Sequence, residues 1–149
     1  MPIVGLDLKY RYIDGLTPLL EDYSWWIDLI KRIGKKADIF ELRCWPEEPE
    51  AIETGRRFGK QMENTVTREL VFRGPVTEDF LNHVCGEGRR GDGTLKYFTL
   101  IFYKEDKDIL SSEHYGAEPY ISVDTVEEIH EIEQWRKNYP AITGIRVHC

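Results

Sequence analysis

The chain has 149 residues, of which 41% are hydrophobic and 32% are charged. This length and composition predict a single globular domain spanning residues 1–149 and exclude a disordered protein, which would contain fewer apolar and aromatic residues. The net charge of −7 at pH 7 argues against binding to nucleic acid, which needs a basic surface, and against docking on an anionic membrane.

The N-terminal third of the sequence predicts a strand, a helix and a second strand. Apolar residues alternate from Ile3 to Ile13, which predicts the first strand. Thr17 and Pro18 have the residue types of an N-cap and a first helical position, and the apolar residues after them recur at helical spacing as far as Gly34. Residues 38–45 alternate again and predict the second strand.

The middle of the sequence predicts short elements separated by glycines. Residues 47–58 have the pattern of a short helix, and residues 64–73 that of a third strand. Thr77 is the predicted N-cap of another short helix. Residues 86–93 are rich in glycine and predict a mobile loop, and residues 95–103 carry the strongest strand pattern.

The C-terminal third predicts two strands around one helix. Residues 105–118 are polar and predict an irregular segment, which a short strand at residues 120–123 follows. Thr125 and Glu128 form a capping-box pattern at the start of a helix. Residues 142–148 predict the last strand.

This order of elements predicts an α+β fold, because strands and helices alternate only in part. Several connections are too short for the crossovers of a parallel sheet. We expect a single mixed, mainly antiparallel sheet of about five or six strands, with two to four helices packed mainly on one face.

Two features of the sequence predict a cytoplasmic location. The first residues contain no signal-peptide pattern, and no stretch reaches the roughly 18 apolar residues of a membrane span. The three cysteines, Cys44, Cys85 and Cys149, are widely spaced and odd in number, which argues against a disulfide framework.

The sequence has no recognisable catalytic, cofactor or metal-binding motif. The glycines of residues 86–93 precede a strand rather than a helix, so they do not form a phosphate-binding loop. His83 with Cys85 and His148 with Cys149 lack the spacing of a metal site. We therefore expect no cofactor and no metal, and the sequence does not indicate an enzyme.

Two other functions remain as alternatives. In a small enzyme with a site assembled from distant residues, His83, His114 or His130 would be the general base, and Arg89 or Arg90 would bind an anion. In the second alternative, the chain would be an accessory or regulatory subunit that works through self-association.

Acidic residues are concentrated in two segments. Residues 38–53 contain six acids and one base, and residues 105–133 contain ten acids and one base. Such runs are most often solvated faces that keep a protein in solution. They also suit docking to a basic partner, because opposite potentials raise association rates and bias the choice of partner.

The acidic segments also contain bulky aromatic residues, which are favoured anchors of protein interfaces. We therefore predict a non-catalytic, acidic protein-binding domain, of the kind of an immunity protein that occludes a basic toxin or nuclease. The predicted partner-binding residues are Trp45, Glu47, Glu48, Glu50, Glu53, Asp106, Asp108, Glu113, Tyr115 and Glu118.

Overall fold

The computed structural model describes residues 2–149 and shows one large antiparallel sheet with helices. The helices are α1 (Ser24–Gly34), α2 (Pro49–Phe58), α3 (Glu78–Gly86) and α4 (Val126–Arg136). The strands are β1 (Ile3–Leu8), β2 (Tyr10–Tyr12), β3 (Pro18–Leu20), β4 (Ile39–Cys44), β5 (Lys60–Met62), β6 (Leu70–Pro75), β7 (Thr99–Lys104), β8 (Lys107–Glu113), β9 (Glu118–Ser122) and β10 (Ile142–His148).

Eight strands form the main sheet in the order β10-β1-β9-β8-β7-β4-β6-β5, and β2 and β3 form a separate hairpin. Every pairing between these strands is antiparallel. The predicted α+β class is confirmed, with four helices and a mainly antiparallel sheet, but the prediction of five or six strands was too low. No helix within residues 2–149 is long and apolar enough to cross a membrane.

The prediction of an irregular segment at residues 105–118 was wrong, because this segment forms β8 and the start of β9. Glu105 and Asp106 adopt positive φ angles of 50° and 64° and close the tight turn between β7 and β8. A second tight turn at residues 114–116 leads into β9. A β-bulge interrupts the alternation of β8, so its sequence does not show the regular pattern of a strand.

The first strand and first helix have bounds that differ from the prediction. β1 ends at Leu8, and the next residues form the β2–β3 hairpin. Thr17 caps no helix, because its backbone N–H donates at 2.6 Å to the side chain of Asp14 and so closes the hairpin loop. Pro18 lies in β3, and α1 begins only at Ser24.

The strand predicted at residues 64–73 is also shorter than expected, since the chain joins β6 only from Leu70. Asn64 Nδ2 donates at 2.8 Å to Thr67 Oγ1 and at 2.9 Å to the carbonyl oxygen of Glu69, which holds the preceding residues in a turn.

Two of the three predicted threonine N-caps, Thr77 and Thr125, are confirmed. Thr77 Oγ1 accepts a hydrogen bond from the N–H of Phe80 at 3.1 Å, and Thr125 Oγ1 accepts one from the N–H of Glu128 at 3.2 Å. These bonds satisfy N–H groups that have no partner within the first turn of α3 and α4.

The helices cover one face of the main sheet, where the core lies. Phe40 and Leu42 of β4 are buried there, and the ring of Phe40 stacks on Phe80 of α3 with 4.0 Å between centroids. Trp26 of α1 is buried as well, and its Nε1 donates at 2.9 Å to Ser112 Oγ of β8. This bond satisfies the indole N–H within the core.

Asp28 joins α1 to the C-terminal helix region. Its Oδ2 accepts hydrogen bonds from Trp135 Nε1 at 2.7 Å and from the Tyr139 hydroxyl at 2.8 Å, and its Oδ1 pairs with Arg32 Nε at 2.8 Å. Burial works to raise the pKa of Asp28, but these bonds outweigh it and lower the pKa. Ile129, Ile132 and Trp135 of α4 pack against the edge of the core, but no residue of this helix is fully buried, and a groove remains between α4 and α1.

The opposite face of the sheet carries polar side chains and is covered by no helix of the described residues; we call it the open face. At its centre Glu41 of β4 is only 4% exposed. Its carboxylate accepts hydrogen bonds from Arg43 Nε and Arg73 Nε, each at 2.7 Å. Burial works to raise the pKa of Glu41, but the two guanidinium groups outweigh it and hold the pKa below its ordinary value.

We expect Glu41→Gln to lower the free energy of unfolding at neutral pH by about 1–3 kcal/mol, because the two guanidinium groups lose their buried counter-charge. A carboxyl group with a lowered folded-state pKa stabilises the fold above its unfolded-state pKa, and this contribution disappears as pH falls through the folded-state value. Denaturant unfolding of both proteins from pH 7 to pH 3 measures the difference. A difference that stays constant over this range would contradict the proposed role of the Glu41 charge.

Candidate functional site

Several carboxylates gather in a depression on the open face, close to the ends of β8 and β9. The depression has a volume of about 620 Å³. Its lining contains four carboxylates, one guanidinium group and one imidazole; these belong to Glu69, Asp108, Glu113, Glu118, Arg43 and His114. We call this group of side chains the acidic depression.

The carboxylates of the acidic depression are unequal in their surroundings. Desolvation, followed by repulsion from Glu113 and Glu41, raises the pKa of Asp108. Glu113 accepts a hydrogen bond from Ser111 Oγ at 2.8 Å, and Glu118 Oε2 lies 3.4 Å from His114 Nδ1. Asp108 therefore has the fewest neighbours that stabilise its negative charge. A cation that enters the depression would stabilise this charge.

Aromatic rings border the acidic depression on one side. Phe98 lines the depression, and its ring centroid lies 5.0 Å from that of Trp45 and 5.3 Å from that of Tyr115. His114 continues this group, since its ring centroid lies 6.4 Å from that of Phe98 and 6.2 Å from that of Tyr12. We call these rings, together with Tyr10, the aromatic ridge.

The hairpin end of the aromatic ridge is the most exposed part. Tyr10 and Tyr12 pack edge to face with 5.6 Å between centroids, and they are 41% and 49% exposed. Leu16, at the tip of the same hairpin, is 78% exposed. Exposed apolar residues that adjoin one another in this way are typical of interaction surfaces.

The structure brings together three of the acids predicted to bind a partner. Asp108, Glu113 and Glu118 all line the acidic depression. Asp106 lies in the exposed turn before β8, and Glu47 is exposed and paired with Arg68.

Three further predicted residues form an internal cluster beside the depression. Glu48 accepts hydrogen bonds from the N–H of Trp45 at 2.9 Å and from the Tyr115 hydroxyl at 3.1 Å, and it pairs with Arg90. Burial, followed by the charge of Glu48, raises the pKa of Tyr115 to about 12. These bonds hold Trp45 and Tyr115 in the aromatic ridge, so Glu48 positions the ridge from within.

The two remaining predicted acids, Glu50 and Glu53, are exposed on α2 and do not line the depression. Sequence reasoning missed Tyr10, Tyr12 and Phe98. The alternating tyrosines of β2 are a signal that could have placed two rings on one side of a strand. No sequence signal connects Phe98 to them, because their proximity depends on how the hairpin folds back toward the sheet.

His83, one of the alternative general bases, takes part in a series of polar contacts that runs from the exposed Glu87 to the buried Thr54 and Tyr97. Its Nδ1 lies 3.2 Å from Glu87 Oε2 and its Nε2 lies 3.2 Å from Thr54 Oγ1, which is 3.1 Å from the Tyr97 hydroxyl. The order carboxylate, imidazole and hydroxyl resembles that of a catalytic triad. However, Thr54 is only 1% exposed, so a substrate has no access to its hydroxyl group. We interpret this series of polar contacts as a structural network that links α2 to α3.

The other groups proposed for an enzyme have different bonding partners, although Arg90 and His114 both lie against the ring of Tyr115. Arg90 is engaged by Glu48, and the guanidinium group of Arg89 lies 5.3 Å from the centre of the Tyr23 ring. His130 is exposed on α4, whereas His114 lines the acidic depression. Within residues 2–149, no hydrogen bond or ion pair joins one of these histidines to Arg89 or Arg90.

Comparison of the chain with protein families, with curated proteins and with solved structures finds no match. Within residues 2–149 there is no group of three or more His, Cys, Asp or Glu side chains that could hold a metal ion. The function is therefore argued from the acidic depression and the aromatic ridge.

We expect Asp108→Asn to raise the free energy of unfolding at neutral pH. A carboxyl group whose pKa is raised in the folded state destabilises the fold when ionised, and because Asp108 is only partly removed from water the gain is limited to about 0.2–1 kcal/mol. The gain should shrink as pH falls through the raised pKa and vanish below the unfolded-state value. Glu53→Gln on α2 is the matched control and should change stability little at any pH. A lower free energy of unfolding for Asp108→Asn than for the wild-type protein would contradict this prediction, because it would show that the Asp108 carboxylate stabilises the fold.

Proposed function

We propose that this protein is a non-catalytic, stoichiometric binding protein that occludes a basic protein partner with the open face of its sheet. The observation that carries the proposal is the acidic depression, in which four carboxylates and a single guanidinium group lie beside exposed aromatic rings. The mechanism is steric and electrostatic and involves no turnover.

The charge of the depression supports a cationic partner. Asp108, Glu113 and Glu118 are close enough to line one concave surface, so their potentials add, and an incoming Lys or Arg side chain is attracted by all three. The central Glu41 contributes little to this field because Arg43 and Arg73 neutralise it. The excess negative charge therefore lies in the depression rather than over the whole open face.

The aromatic ridge supports an interface with a protein rather than with free cations alone. Tyr side chains offer large apolar area at a small entropy cost, and they are enriched among the residues that dominate binding energy. Tyr10, Tyr12 and Leu16 form an exposed apolar group beside the charged depression. Charge would guide the encounter, and the buried apolar contacts would slow dissociation.

An immunity protein that inhibits a basic toxin or nuclease fits this combination. A nuclease needs a cationic surface to bind phosphate groups, and an acidic face with aromatic anchors can cover such a surface and exclude the nucleic acid. The three cysteines of the chain are free thiols, which supports the proposal that the protein works in the reducing cytoplasm.

The test neutralises the acidic depression without changing side-chain size. Immobilised protein captures its partner from the native host, and association rates are then measured with the purified partner. We expect the triple variant Asp108→Asn, Glu113→Gln, Glu118→Gln to associate about tenfold more slowly at low salt, with a difference that shrinks as added salt screens the charges.

The matched control is Glu50→Gln, Glu53→Gln, Glu63→Gln, which removes three exposed carboxylates outside the depression. It should associate at nearly the wild-type rate. Equal slowing of both triple variants would show that only total charge matters. Failure to retain any basic protein in a one-to-one ratio would contradict the proposed function itself.

A further inference from the structure

A second concave site lies on the opposite side of the sheet from the acidic depression, in the groove between α1 and α4. Its volume is about 320 Å³, which is within the range of small-molecule sites. The apolar side chains that line it belong to Leu29, Ile33, Ile109, Ile121, Val123, Ile132 and Trp135. The groove therefore offers an apolar floor large enough for a ligand of about ten non-hydrogen atoms.

The walls of the groove are formed by residues held in place by specific bonds. Trp135 cannot turn freely because its Nε1 donates to Asp28 at 2.7 Å. Leu29 and Ile33 of α1 and Ile121 of β9 are almost fully buried even without a ligand. The site is thus largely formed in the free protein, which reduces the entropy cost of binding.

Charged groups at the rim of the groove are mostly engaged by neighbours. Arg32 pairs with Asp28 at 2.8 Å, and Asp124 with Lys107 at 3.8 Å. Glu128 accepts a hydrogen bond from the N–H of Asp124 at 3.2 Å as part of the start of α4. Each of these groups therefore already has at least one polar partner in the protein.

Three charged lining residues are not engaged in this way. Lys36, Lys104 and Glu131 form no ion pair with any residue in the 2–149 range. Two free ammonium groups against one free carboxylate favour an anionic ligand. The whole chain carries a net charge of −7, so a preference for an anion has to come from the residues of the groove and not from the overall charge.

We propose that the groove between α1 and α4 binds a small amphipathic monocarboxylate, with its apolar body on the floor and its carboxylate at Lys36 and Lys104. The lysines are exposed, so the ligand's charged end stays near water while its apolar part replaces water on the floor. This site is independent of the acidic depression, and either can be disproved without affecting the other.

The test uses octanoate as the probe and octylammonium as a probe of the same length and opposite charge. Calorimetry measures affinity, and the indole N–H signal of Trp135 in nitrogen-15 NMR spectra reports where the probe binds. We expect saturable one-to-one binding of octanoate, a shift of the Trp135 signal with little change at Trp45, and binding of octylammonium at least about tenfold weaker.

Two double variants of lysine residues separate the effect of charge in the groove from the effect of the overall charge. Lys36→Glu combined with Lys104→Glu should weaken octanoate binding by about tenfold or more. Lys31→Glu with Lys35→Glu makes the same change of charge at exposed lysines that do not line the groove, and it should weaken binding far less.

Three results would overturn the proposal. They are the absence of saturable octanoate binding to the folded protein, octylammonium binding as tight as that of octanoate, and equal weakening of binding by the two double lysine variants. Thermal unfolding of each variant confirms that a loss of binding does not come from a loss of fold.

Discussion

The alternation of side chains along the central strands is the constraint on which the rest of the structure depends. In β4, Phe40, Leu42 and Cys44 point to the helices, and Glu41 and Arg43 point to the open face. Because successive residues of a strand must lie on opposite faces, an apolar core on one side dictates a charged face on the other. The acidic depression is part of that charged face, and its position beside the aromatic ridge follows from the two tight turns that flank β8.

Charge on the open face is organised in two different ways. At the centre, the carboxylate of Glu41 is buried and matched by two guanidinium groups, so it contributes to stability. Toward β8 and β9, carboxylates accumulate with few cations, and desolvation and repulsion raise the pKa of Asp108. In the proposed binding function, a cationic group of the partner would supply the counter-charge that Asp108 lacks.

The sequence predicted the class of the fold, all four helical regions and two of the three threonine caps, since these depend on local patterns. It did not predict β8, because the turn at Glu105 and Asp106 contains no glycine and the bulge shifts the alternation. The candidate site was predictable only in part. Asp108, Glu113 and Glu118 were recognised as acids of one segment, but Glu69, Tyr12 and Phe98 come from distant segments. Pairing between strands that are distant in the sequence brings these residues together. The periodicity of a single sequence does not show which strands pair.

Hydroxyl-radical footprinting of the protein bound to its captured partner tests the central claim most directly, because it measures the solvent access of individual side chains. If the open face binds the partner, oxidation of Tyr10, Tyr12 and Phe98 falls in the complex, while oxidation of Trp135 and of Val126, which is 61% exposed on α4, stays unchanged. Protection of Trp135 and Val126 without protection of the aromatic ridge would place the interface on the helical side and contradict the account.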